Sequence, residues 1–189
     1  MPTARVPTGM NDPEQPMWGS WAGRYGRQES AEDRPYYWAI LKDDWQGSTH
    51  RDNTLGRWVA HLQNDFRARL DWCVNDFGNA NHPPVPRING DSRRIVRAGD
   101  KVVLDAGQST DPDKHGLKFE WVYYPEPGSY RGSAPALEGT ASPQASLFAP
   151  KVDSPQTIHI ILTVTDDGSP PLARYQRVIV TMQPTVNSE

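Results

Sequence analysis

From Lys101 to Met182 apolar side chains recur at every second position in five short runs. This alternation limits the fold more than any other feature of the sequence, because side chains two apart on an extended chain share a face. Lys101-Val102-Val103-Leu104-Asp105 reads as one strand. In Leu117 to Tyr124, the side chains of Leu117, Phe119, Trp121 and Tyr123 fall on one face. Ala145-Ser146-Leu147-Phe148-Ala149 is a shorter strand. Thr157 to Thr165 is β-branched and apolar, with Ile158, Ile160, Leu162 and Val164 together. Tyr175 to Met182 groups Val178 with Val180. Turn residues separate the runs at Asp111-Pro112-Asp113, Pro125-Glu126-Pro127-Gly128 and Asp166-Asp167-Gly168-Ser169-Pro170-Pro171. Short strands, turns between them and no intervening helix predict an immunoglobulin-like β-sandwich with Trp121 in its core.

Before the Pro83-Pro84-Val85-Pro86 linker the pattern is different. Six of the seven tryptophans lie there: Trp18, Trp21, Trp38, Trp45, Trp58 and Trp72. Residues 1 to 53 are rich in glycine and proline and lack sustained periodicity, which predicts loop, with one short strand or helical turn near 36 to 41. Leu55, Val59, Leu62, Phe66, Leu70 and Cys73 then recur at spacings of three and four, one stripe of an amphipathic helix. Asp52, Asn53 or Thr54 can cap its start, and Gly78, Asn79 and the double proline stop it. The fold class is therefore mainly β, a C-terminal sandwich over 84–189 preceded by a Trp-rich loop and helix segment over 1–83. One helix and a set of loops cannot bury six tryptophans and that stripe by themselves. Their apolar faces need another surface, the sandwich behind or something missing in front, and the expectation is that residues 1–83 are the tail end of a larger domain.

The formal net charge is −3, and the acidic and basic residues are spread evenly, 11 and 9 before residue 84 and 12 and 11 after it. Neither half offers a basic surface for a phosphate backbone, so nucleic acid is not an expected partner. Cys73 is the single cysteine, which excludes an intrachain disulfide and a cysteine-based zinc site. Its place in Leu70-Asp71-Trp72-Cys73-Val74 predicts a small buried hydrophobe. Met1 to Gln15 is polar, with no apolar run of signal-peptide length, and no membrane span follows. Taken literally the chain is soluble and not exported; the alternative is a piece of a longer exported protein with Met1 as a truncated start.

Aromatic rings stack on the flat apolar faces of sugars while polar neighbours bond the hydroxyls. Trp18, Trp21, Tyr25, Tyr36, Tyr37, Trp38 and Trp45, with Arg24, Asp43 and Asp44 nearby in sequence, supply such material, and Tyr123, Tyr124 and Tyr130 form a second group. Packing is the favoured account of both. Asp105, Asp111, Asp113 and Asp166 could converge at strand ends as hard oxygen ligands, for which calcium is the fitting ion. Local turn chemistry explains Asp111-Pro112-Asp113 better. Glu120, Glu126, Glu138, His115 and His159 are scattered, and no nucleophile elbow, metal-binding histidine pair or phosphate loop is found. His159, on the strand face opposite Ile158 and Ile160, reads as a sheet-surface histidine. No catalytic residues and no organic cofactor are assigned.

Leu104-Asp105-Ala106-Gly107-Gln108-Ser109-Thr110-Asp111-Pro112-Asp113 followed by Phe119-Glu120-Trp121 resembles the strand–turn–strand of PKD-like modules. A resemblance over nearly the whole chain runs through Pro16 to Tyr25, Phe66 to Trp72, Ala80 to Pro84, Tyr124 to Tyr130, Ile158 to Leu162 and Arg174 to Val178. These segments resemble a family of bacterial proteins described as cellulose-binding with a nucleoside-hydrolase-like domain. The resemblance implies an N-terminal hydrolase-like domain followed by a C-terminal sandwich, in an exported, polysaccharide-utilising parent. It makes polysaccharide one expected partner, and the missing hydrolase-like domain or a second copy another. The aspartate-rich calcium site of nucleoside hydrolases has no counterpart here. A non-catalytic, carbohydrate-associated accessory module follows as the first expectation. Structural bracing or dimerisation without a ligand, and a hydrolase active only with its N-terminal domain, are the alternatives.

Overall fold

The computed structural model describes residues 8–28 and 36–185. Its central element is a four-stranded sheet. Strand β7 (Leu117–Tyr124) pairs antiparallel with β9 (Gln156–Asp166), and β9 pairs antiparallel with β10 (Ala173–Gln183). Strand β5 (Arg93–Arg97) adds to the outer edge of β10 in parallel. Strands β6 (Lys101–Asp105) and β8 (Gln144–Phe148) form a second, antiparallel sheet.

One core lies between these sheets. Val102, Leu104, Ala145 and Leu147 from the small sheet meet Trp121, Ile158, Ile160, Leu162, Val164, Val178 and Val180 from the large one. The faces are those expected from the alternation. With no disulfide to cross-link the sheets, this packing holds them, at about 1.5–3 kcal/mol for each large apolar side chain removed from water. Trp121 fills the middle of the core and donates its indole N–H to the carbonyl of Ser142 at 3.0 Å.

The other face of the large sheet is covered as well, which makes the assembly three layers deep. Met10, Trp21 and Trp58 pack on Tyr124, Ile161, Ala173 and Tyr175. Trp21 donates to the Tyr175 hydroxyl at 3.1 Å, and the Trp58 and Tyr175 rings meet edge to face at 5.3 Å. Backbone also docks: Tyr175 N–H donates to the carbonyl of Thr8 at 2.8 Å. Gly9 permits this approach, because a Cβ there would lie 1.8 Å from the Tyr175 carbonyl oxygen and its φ of +88° suits glycine. Strand β9, covered on both sides, is buried along most of its length, its polar His159 and Thr163 included.

Up to Asp52 the layer that provides this cover is mostly loop, as expected, but it holds four short strands where one short strand or helical turn was expected. A short 3-10 turn spans Pro16–Trp18. Strands β1 (Gly26–Gln28) and β2 (Tyr36–Trp38) pair antiparallel, as do β3 (Asp43–Trp45) and β4 (Ser48–His50). Helix α1 runs from Asn53 to Asp71. No helix among the described residues is long and apolar enough to cross a membrane.

Helix α1 forms where its periodicity predicts, but it does not bury its apolar stripe. Leu55, Val59, Phe66 and Leu70 are exposed, Phe66 by 63%. The side chains turned inward are Thr54, Trp58, Asp65 and Ala68, about 100° round the helix, one residue's rotation. A charged anchor accounts for the choice. Asp65 sits 2.9 Å from Arg174 of β10 and 2.6 Å from Arg69, so the helix is seated by a carboxylate between two guanidinium groups. Cys73 corrects the expectation of burial: the stripe that carries it faces solvent, so the thiol is exposed, with Sγ 3.2 Å from the Arg69 carbonyl.

Candidate functional site

The loop layer leaves a cleft of about 380 Å3 whose lining includes Asn11, Asp12, Glu14, Gln15, Tyr25 and Tyr37. Local bonds shape its wall. Asp12 accepts from the Glu14 N–H at 3.0 Å, Gln15 and Trp18 close successive turns, and Tyr25 N–H donates to the Pro16 carbonyl. Strand β2 runs beside the cleft, with Arg27 of β1 paired to Tyr37 and Gly26 to Trp38. All three aromatic residues of β2, Tyr36, Tyr37 and Trp38, are exposed. Carboxylates, amides and phenols gathered beside open aromatic faces suit a neutral polyhydroxyl ligand: rings for its C–H faces, acceptors and donors for its hydroxyls.

A buried polar network fixes this layer to the sheet. The Asp43 carboxylate is wholly buried. It accepts from Arg24 at 2.9 Å on one oxygen and from the Tyr124 hydroxyl at 2.7 Å on the other. Arg24 also donates to the carbonyls of Met17 and Lys42. Burial, then the neighbouring Asp43 charge, pushes the Tyr124 phenol well above its ordinary range, so it acts as a fixed hydrogen-bond donor. Deeper in, Arg177 donates to the carbonyls of Met10 and Trp18 and to Nδ1 of His159 at 3.0 Å.

His159 therefore corrects the sheet-surface expectation. The loop layer lies over that face, leaving His159 2% exposed with Trp18 edge-on at 5.1 Å. Burial first, and then the Arg177 charge, lower its pKa to about 3, so the ring is neutral and accepts from Arg177.

A second cleft of about 580 Å3 gathers Tyr123, Tyr130, Glu126, Arg24, Asp44 and Arg131. Burial raises the Tyr123 phenol and the Glu126 carboxyl. Glu126 accepts from the Asp44 N–H at 2.9 Å and faces Arg57 at 3.5 Å, which leaves this cleft more strongly charged than the first.

The ten aromatic candidates thus do not converge. Tyr25 and Tyr37 line the first cleft, and Tyr36 and Trp38 stand on the strand beside it; Tyr123 and Tyr130 line the second. Trp21 and Tyr124 are interior and present no face to a ligand. Trp18 is sandwiched beneath Arg93 and Arg177, at 5.5 and 5.6 Å. Trp45 covers Gly56 of α1, where a Cβ would fall 2.7 Å from its ring. Asn11, Asp12, Glu14 and Gln15 carry no mark in the sequence, since single polar residues in a loop announce nothing until Tyr25 and Tyr37 are folded over them.

The four aspartates also separate. Asp105 accepts from the Gly107 N–H in its own turn, and Asp113 binds His82 at 3.0 Å. Asp111 and Asp166 do meet, in company with His115, with one potential ligand atom of each within 4.8 Å of the others.

A two-sheet immunoglobulin-like module bearing an aromatic, loop-built layer is the class of protein these features define. Residues 101–182 match the family model described as cellulose-binding protein Sde0182, C-terminal domain. The chain is also similar to a solved nucleoside hydrolase-related hypothetical protein from Saccharophagus degradans that is associated with carbohydrate metabolism. Identity is 34% and the TM-score 0.76, over 93% of this chain. This chain spans 45% of the length of that protein. A PKD domain, from the KIAA 1837 protein, aligns at 19% identity with a TM-score of 0.37, over 54% of this chain and 92% of its own. Human CDH23 EC21-23 aligns at 17% and 0.33, over 59% and 37%. No curated protein matches the sequence.

Proposed function

We propose that this chain is a carbohydrate-associated accessory module, non-catalytic in its own right, that holds cellulose or a related plant polysaccharide at the cleft between Tyr25 and Tyr37. The observation that carries the reading is the run of exposed rings on β2 beside carboxylate and amide side chains. The description of the matched family and the carbohydrate association of the solved relative support it. Affinity electrophoresis through gels containing hydroxyethyl cellulose, xyloglucan or xylan tests it, alongside pull-down on microcrystalline cellulose. Retardation by at least one glycan, weakened by Tyr37→Ala, is expected. Unretarded migration on every glycan overturns it.

A second reading is favoured by the bare stripe on α1. Residues 1–83 would be the closing part of a hydrolase-related domain, the sandwich over 84–189 its brace, and Leu55, Val59, Phe66 and Leu70 the seam with the rest of that domain. That the Saccharophagus degradans protein extends beyond the matched part supports this reading. Light scattering distinguishes this from pairing of two copies: a concentration-dependent dimer abolished by Phe66→Ser would assign the stripe to a second copy.

A further inference from the structure

Two buried acceptors near the start of β7 have no hydrogen-bond partner. The Asp111 side chain is 1% exposed and its Oδ2 is unmatched; Oδ1 of Asn81, a 9% exposed residue whose amide N–H donates to Asp166, is unmatched too. An unpaired buried carboxylate oxygen is costly unless a cation or donor faces it. Nδ1 of His115 is also buried and unmatched, 3.7 Å from Asp111 Oδ1, too far for a hydrogen bond.

We infer that Asp111, His115 and Asp166 form a binding site for a divalent transition-metal ion of the zinc class. Local structure already uses half of each carboxylate and leaves the other half over. Asp111 Oδ1 accepts from the N–H groups of Asp113 and His115, which fixes the side chain. Asp166 Oδ1 accepts from Gly168 and Leu172 N–H at 3.0 Å each and from Asn81 Nδ2 at 3.2 Å. Its Oδ2 has only a 3.3 Å contact with that same amide. Backbone donors thus orient both carboxylates, as supporting groups orient metal ligands.

The donor set decides the class of ion. Calcium takes six to eight oxygens, whereas the three residues that gather here offer one ring nitrogen and two carboxylates. Two carboxylates and an imidazole suit a four-coordinate ion, with the fourth position left to water. Around such an ion the ligand atoms lie about 3.4 Å apart, so atoms now within 4.8 Å must close by roughly 1 Å. His115, 35% exposed at its side chain, provides both the moving part and the entry path. The ion would clamp the turn that holds Asp111 and His115 to the one that holds Asp166, to which Asn81 is already hydrogen-bonded.

The test is calorimetric titration and thermal melting of the full chain after chelation and dialysis. A Cys73→Ser background removes the exposed thiol as a competing ligand. Zinc chloride is expected to bind at one equivalent and, at a hundredfold excess over Kd, to raise Tm by roughly 5–10 °C. His115→Ala should weaken binding about tenfold or more without disturbing the turn, and Asp111→Asn, which keeps the turn acceptor, should do the same. No binding, an isotherm unchanged in both variants, or tighter binding of calcium than of zinc would each overturn the assignment.

Discussion

Arg177 donates to Nδ1 of His159 at 3.0 Å, joining a buried cation to a histidine that burial and that cation keep neutral. Among the described residues no carboxylate hydrogen-bonds to Arg177. Two carbonyls, one imidazole and the faces of Trp18 and Tyr124, at 5.6 and 5.7 Å, surround it instead. Burial lowers the pKa of Arg177 to about 10, still above any working pH, so the charge persists.

Stability should fall in mild acid through this pair. Unfolded histidine takes up its proton near pH 6.5, while folded His159 resists until about pH 3. Between those values the unfolded chain binds more protons, so stability is complete above about 6.5 and is lost as pH falls towards 3. The slope reaches at most about 1.4 kcal/mol per pH unit. His61, also lowered by burial, adds with the same sign. Urea melts from pH 4 to 7 should show a shallower acid slope in His159→Gln, which keeps an acceptor for Arg177 but does not titrate. An unaltered slope would assign the effect elsewhere.

Trp58→Ala should cost about 3–5 kcal/mol, the range for a large ring removed from a packed interior. Trp58 is 5% exposed and touches both Tyr124 and Tyr175. Chemical denaturation followed by circular dichroism measures it; a loss under about 1 kcal/mol would mean the layer over the sheet contributes little.

Asp43→Asn should destabilise by a similar amount, because Arg24 would remain buried without its counter-charge. Removing one partner of a buried pair costs about 3–5 kcal/mol. The same variant leaves the core between the two sheets untouched, so near-ultraviolet dichroism should change most in signals from the loop layer.

Phe66→Ser and Leu70→Ser should leave Tm within about 2 °C of the parent, since both side chains already stand in water. A marked loss of Tm would indicate that the stripe is covered in solution.

Strands β6 to β10 were legible because each hides one face in a common core, and β9 doubly so. Strand β5 was not: Arg93-Arg94-Ile95-Val96-Arg97 turns Ile95 outward, 76% exposed, and reads as a charged loop. The helix was legible but not its rotation, which rests on the pairing of Asp65 with Arg174, over a hundred residues away. Among the tryptophans, sequence spacing could not separate interior Trp21 from exposed Trp38. That Asp111 and Asp166 could meet was readable from their turns. His115 was noticed only as scattered, and Asn81, 85 residues from Asp166, gave no local sign.

The covered outer face of the large sheet has a consequence for handling the protein. Val85 in the connector is exposed, yet Trp21, Trp58 and the Asp65 anchor grip the strands from the far side of that connector. A single nick there would leave the two halves clasped. They would travel together through size exclusion and part only on a denaturing gel.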